Sequence, residues 1–168
     1  MTRKFKTLFF VKSSLITLYL GLTLPIPFIS IEELRIFSIS AFVMGFFLIV
    51  NITNDYVEIS HEKICYKTTF VSNFLGRKSW ELHWKEIKLI NSYPTSQGSK
   101  VYYFITFDNQ KFLVPQRIEN LKEFMLLIFE KTGIKTEEMN YISPMWTYKL
   151  LTLLSLFMII GEMIAFSI

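Results

Sequence analysis

Hydrophobic positions follow two different rhythms along this chain. From Ser13 to Ile31, and again from Ile36 to Asn54, no charged residue interrupts an apolar run. Each run is about nineteen residues, close to the roughly twenty that a helix needs to cross ~30 Å of hydrocarbon. Pro25 and Pro27 lack backbone donors and disfavour a helix interior. The first span is therefore read from about Leu8 to Leu24, with Lys12 reaching back towards the headgroups. Pro25–Arg35 becomes a short hairpin, and the second span runs from about Ile36 to Ile52. A third follows Pro144, from about Met145 to Ile168. The chain thus divides into an N-terminal membrane hairpin (1–54), a soluble domain (55–135), and a connector with the third span (136–168).

Within the soluble segment the rhythm changes to period two. Val57 and Ile59 flank Glu58, and His61-Glu62-Lys63 makes a polar turn. Ile64, Tyr66, Thr68 and Phe70 share one parity, and Trp80, Leu82 and Trp84 alternate with Glu81, His83 and Lys85. Val101, Tyr103, Ile105 and Phe107 alternate with Tyr102, Phe104 and Thr106. Alternation with aromatic and β-branched enrichment predicts strands. Asp108-Asn109 predicts a hairpin turn into Lys111–Val114, which Pro115 ends. Six strands are read over the soluble segment, five of them at these positions. One amphipathic helix follows, with Asn120 and Glu123 as a capping box. Its apolar face is Leu121, Phe124, Met125, Ile128 and Phe129, and Gly133 is its stop.

Charge assigns sides. Arg3, Lys4, Lys6 and Lys12 gather at the extreme N-terminus, whereas the hairpin carries Arg35 beside Glu32 and Glu33. The soluble segment is rich in Lys and Arg. Basic segments stay on the cytoplasmic side, so the N-terminus and soluble domain are expected inside and the C-terminus outside a cytoplasmic (inner) membrane. A cleaved signal peptide is the rival reading of the N-terminus. It lacks a small-x-small site after Leu24, and a second span follows at once.

Within the spans, Ala41 and Gly45, with Ser38 a turn earlier, form a small-residue face suited to close helix contact, within the hairpin or in a dimer. Glu162 is the acid inside the last span: snorkelling to the far headgroups and marking an ion path or partner are both open readings.

In the soluble segment, the strand leaving a span and the Ser60-His61-Glu62-Lys63-Ile64 turn are followed by Trp84-Lys85-Glu86-Ile87. Then come Phe107-Asp108-Asn109-Gln110-Lys111, Val114-Pro115 and one amphipathic helix. This succession resembles the bacterial pleckstrin-homology-like domains over about Asp55–Gly133. The resemblance implies a bent, partly open β-barrel of seven strands capped by a C-terminal helix, often fused to membrane spans. A lesser likeness is to the photosystem I assembly proteins, with two N-terminal spans and a similar domain; the third span here departs from them.

Chemistry adds little. His61, His83 and Cys65 lack close ligand spacing, so no metal or cofactor is expected. One cysteine excludes an internal disulfide. Acidic residues stand singly, and no glycine-rich phosphate loop exists. A net charge of +4 raises nucleic acid, anionic lipid or an acidic protein as partners. The aromatics follow strand alternation and belong to a core, which sets nucleic acid aside. Basic residues gather at Arg77 and Lys78, behind the apolar Phe74-Leu75, and at Lys85 and Lys88. These six are the candidate contacts to lipid or partner. The expected function is non-enzymatic: a membrane-tethered scaffold or assembly factor contacting lipid and another membrane protein. The alternatives are a transport or immunity component acting through its spans, and an anionic lipid sensor.

Overall fold

A computed structural model describes residues 2–96, 98–135 and 139–167. The expected third-span end at Ile168 and the connector positions 136–138 lie outside the described residues. The chain forms strand β1 (Arg3–Lys6), helices α1 (Phe9–Thr23), α2 (Ile26–Ile29) and α3 (Glu32–Ile52), and strands β2 (Tyr56–Ile59) and β3 (Lys63–Lys67). A short helix α4 (Phe70–Phe74) leads to β4 (Trp80–His83), a 3₁₀ turn over Trp84–Glu86, then β5 (Ile87–Pro94), β6 (Lys100–Thr106) and β7 (Lys111–Leu113). Helices α5 (Leu121–Thr132) and α6 (Met145–Ser167) complete it.

The chain divides into two units, Met1–Leu8 with Asn54–Pro144, and Phe9–Thr53 with Met145–Ile168. The division differs from the expected one at both ends. The N-terminal residues belong to the β-rich unit, because β1 pairs antiparallel with β2, Lys6 opposite Tyr56 and Arg3 opposite Ile59. Its Phe5 is buried and meets Phe124 edge-on at 5.4 Å. The other side of β1 bonds to residues after β7: Leu8 N–H donates to Arg117 O (2.8 Å) and Glu119 N–H to Lys6 O (2.9 Å). The described strands therefore number seven rather than six. Four form an antiparallel sheet in the order β1-β2-β3-β4, and three form a second, β5-β6-β7; no closed barrel results.

Both sheets share one core with α5, including Val57, Ile64, Phe104, Val114, Phe124 and Ile128. On β6 the buried parity is Tyr102, Phe104 and Thr106, while Val101, Tyr103 and Ile105 are half-buried. Trp84 closes the corner between the sheets: its backbone N–H donates to Glu62 O (3.1 Å) and its indole N–H to Ser60 O (3.2 Å). Two expectations for α5 are corrected. Asn120 is left-handed (φ 53°) and gives no side-chain cap, and Glu123 instead pairs with Arg3 across to β1. Phe129 is 44% exposed and lies off the core. The stop at Gly133 is left-handed, φ 68°, and its N–H caps Phe129 O at 2.8 Å.

In the helical unit, the stretch Phe9–Ile29 (α1 continued by α2), α3 and α6 are each long and apolar enough to cross a membrane. The hairpin turn is tighter than expected, because α3 starts at Glu32 rather than Ile36. Glu32 and Glu33 occupy its first turn, where negative charge suits the helix dipole. Helix α1 packs on α6 through small residues: Ser14 and Ser155 are buried, and a Cβ on Gly21 would lie 3.3 Å from Ser155 O. No residue of α3 is fully buried.

Candidate functional site

The two most exposed apolar residues described in the β-rich unit, Phe70 and Phe74, lie with Leu75 in the segment between β3 and β4; Leu89, Phe107, Leu113, Leu126 and Phe129 are exposed elsewhere. Alternation predicts that Thr68 and Phe70 continue β3. The strand stops at Lys67 instead, because Thr69 caps a new helix. Its Oγ1 accepts from Ser72 N–H at 3.3 Å, as N-cap threonines do. The helix ends after one turn as Gly76 adopts φ 88°, with Gly76 N–H donating to Asn73 O at 3.0 Å.

This turn of helix is inverted relative to an ordinary surface helix. Ser72 is fully buried, whereas Phe70 and Phe74, one turn apart, are 85% and 84% exposed, and Leu75 is 60% exposed. A side chain the size of phenylalanine gains by burial, and an apolar cluster facing outwards marks an interaction surface.

One buried carboxylate fixes the segment. Asp55 is 4% exposed and follows α3 by three residues. Its Oδ1 accepts from Thr69 N–H at 3.0 Å; its Oδ2 accepts from the Tyr66 hydroxyl at 3.1 Å and Arg77 Nη1 at 3.2 Å. Its carbonyl accepts from Thr7 Oγ1 at 2.8 Å, tying in the residue after β1. Burial, then the Asp55 charge and hydrogen bond, push the Tyr66 hydroxyl up to about 12.

The predicted contact residues separate accordingly. Phe74, Leu75, Arg77 and Lys78 share this segment, but Arg77 is committed to Asp55 rather than free for a headgroup. Lys85 sits in the 3₁₀ turn, whose Trp84 bonds to Ser60 and Glu62 at the other end of the four-stranded sheet, and Lys88 follows near the start of β5; both are exposed. Asp55 and Phe70 were not singled out from the sequence; the Thr69/Ser72 capping pair and Gly76 are the signals that point to α4.

The remaining candidates lie apart. His61 and His83 are exposed and Cys65 is buried, its thiol donating to Glu81 at 3.4 Å. Burial pushes the Cys65 thiol up, and the hydrogen bond from Lys63 (2.5 Å) holds the Glu81 carboxyl down. Among the described residues no group of His, Cys, Asp and Glu is arranged for a metal ion. In the helical unit, Gly45 lies against Tyr19 of α1, where an added Cβ would overlap the hydroxyl; Tyr19 donates to Phe42 O at 2.6 Å. Ala41 is exposed. Glu162 Oε2 is buried with no hydrogen-bond partner among the described residues.

No family model matches this chain, and no solved structure matches it. The chain is similar to an uncharacterised protein of Synechocystis sp., 29% identical over 162 residues, which covers 92% of this chain and 80% of that protein. At that coverage the match takes in both units.

Proposed function

We propose that this chain is a non-enzymatic, membrane-tethered scaffold or assembly factor that presents a pleckstrin-homology-like domain at the cytoplasmic membrane face. The observation that carries this reading is the connectivity: the β-rich unit draws its first strand from before the first apolar helix and its remainder from after the second. A third apolar helix follows it. Such a domain is covalently pinned at three points and cannot travel to recruit cargo, which favours recognition of a neighbour in the same membrane. Seven strands followed by one packed helix support the family assignment. The basic β1 and β-rich unit, against the acidic start of α3, support the cytoplasmic side.

The test is purification of the full chain in mild detergent with quantitative mass spectrometry of partners. A membrane-protein partner should persist, should be lost on substitution of the exposed β-rich surface, and should survive replacement of α3 by an unrelated apolar helix. A partner that follows the helices alone would favour the second reading, a transport or immunity component. The observation in favour of that reading is Glu162 Oε2, buried with no hydrogen-bond partner among the described residues. Strong headgroup-specific binding with no protein partner would instead favour an anionic lipid sensor.

A further inference from the structure

We propose that α4 is a membrane foot: Phe70, Phe74 and Leu75 sit in the headgroup–acyl boundary of the membrane that the flanking helices cross, and so fix the tilt of the β-rich unit. This rests on reading α1, α3 and α6 as membrane-crossing.

Three independent observations converge on it. The first is the inversion of the helix, with the small polar Ser72 inside and two phenylalanines and a leucine outside. The second is position. The register aligns Lys6, Tyr56 and Lys67 at one end of the four-stranded sheet. From that end the chain enters α1 after Thr7 and Leu8, and it arrives there from α3 through residues 53–55. Two or three residues span at most roughly 7–11 Å, so this end of the sheet cannot leave the membrane surface. Helix α4 starts three residues beyond Lys67, at the same end. The third is rigidity. Asp55 holds Thr69, Tyr66 and Arg77 at once, so the foot is braced to the residue where the chain emerges from α3.

The occupant that fits is lipid. Apolar side chains at the tip with Lys78 exposed just behind match the polarity gradient of an interface, where amphipathic segments bury their apolar face to a depth of about 5–10 Å. The opposite end of the sheet is polar, with His61, Glu62 and Lys85 exposed; Phe107 is a single exposed ring there, not a cluster. The role assigned to Arg77 changes as well. It is a strut to Asp55, and the foot is held by apolar insertion, not by a guanidinium on a headgroup.

The test uses the full chain in vesicles of zwitterionic lipid, in a Cys65→Ser background, with a fluorophore on a single cysteine at position 74, 107 or 43. Val43 is an exposed residue in the middle of α3. Quenchers are either dissolved in water on both sides of the bilayer or attached to lipid chains. Positions 43 and 74 should be quenched from the lipid. Aqueous quenching at 74 should be roughly tenfold weaker than at 107, a ratio that corresponds to about 1.4 kcal/mol. Phe70→Ser with Leu75→Ser should remove that protection. Lipid quenching at 43 with full aqueous quenching at 74 would overturn the foot and leave the tether standing. Aqueous quenching at 43 would overturn both. Protection at 74 from both quenchers would mean that a protein surface covers α4, and would also overturn the inference.

Discussion

Asp55 gathers on one buried carboxylate the donors that hold α4 to the start of β2. Removing it leaves the Thr69 N–H and the Tyr66 hydroxyl without their acceptor, and unmet donors of this kind cost about 1–3 kcal/mol each. Asp55→Ala should therefore lower the unfolding free energy of the β-rich unit by about 3 kcal/mol in denaturant titration. Arg77→Ala should cost about 1 kcal/mol or less, because its guanidinium is half exposed and screened. Equal losses would mean that the ion pair, not the hydrogen-bonded carboxylate, dominates. Tyr66 gives a second handle. Its folded pKa lies above the ordinary 10, at about 12, so folding favours the protonated form. Its contribution is complete below pH 10 and is lost as pH rises through 12. Stability should fall across that window, and Tyr66→Phe should flatten the fall, as followed by chemical denaturation at stepped pH. None of this was legible in the sequence, because Asp55 looks there like the first charged residue after a span.

At the scale of elements, strands were readable and short helices were not. The alternation of Trp80, Leu82 and Trp84 reports a sheet with one buried face, and β4 follows it as far as His83. The parity of Ile64 and Tyr66 in β3 likewise continues through Thr68 and Phe70, but a threonine cap overrides it and turns the chain into α4. Period two cannot distinguish a strand from two apolar residues that happen to fall four apart in a helix. In α5, five apolar residues share the helical face, yet the core reaches only Leu121, Phe124 and Ile128 fully. Phe124→Ala should destabilise the β-rich unit by about 3–5 kcal/mol, since its ring is fully buried beside Phe5. Phe129→Ala should cost no more than about 1 kcal/mol, since the ring keeps much of its exposure. Thermal or chemical unfolding of the two variants checks the difference, and similar losses would place the buried face of α5 wrongly.

At the scale of the whole molecule, the first two apolar spans were plain from charge-free runs and the third from the apolar stretch after Pro144, whereas the origin of the first strand was not. Arg3-Lys4-Phe5-Lys6 reads as a basic flank of a span, and its single apolar residue gives no alternation to detect. Pairing with β2 across an insertion of three helices, α1 to α3, is a long-range fact that no local pattern encodes. A soluble piece spanning 54–135 should accordingly fold poorly, with β2 as an open edge and a void where Phe5 packs. Joining residues 2–8 by a short linker to 54–144 should restore a cooperative transition, visible by circular dichroism. If both pieces unfold alike, β1 contributes little.

The β-rich unit is interrupted between β1 and β2 by the helices α1 to α3, through which the chain leaves it and returns. Single cysteines at Glu32, the first residue of α3, and at Asn109, in the β6–β7 turn, give the most direct measurement when treated with a membrane-impermeant thiol reagent in sealed, oriented vesicles. Asn109 should react from one side together with a cysteine at Thr2, and Glu32 from the other together with one at Ser167. Reaction of Glu32 and Asn109 from the same side would contradict the account.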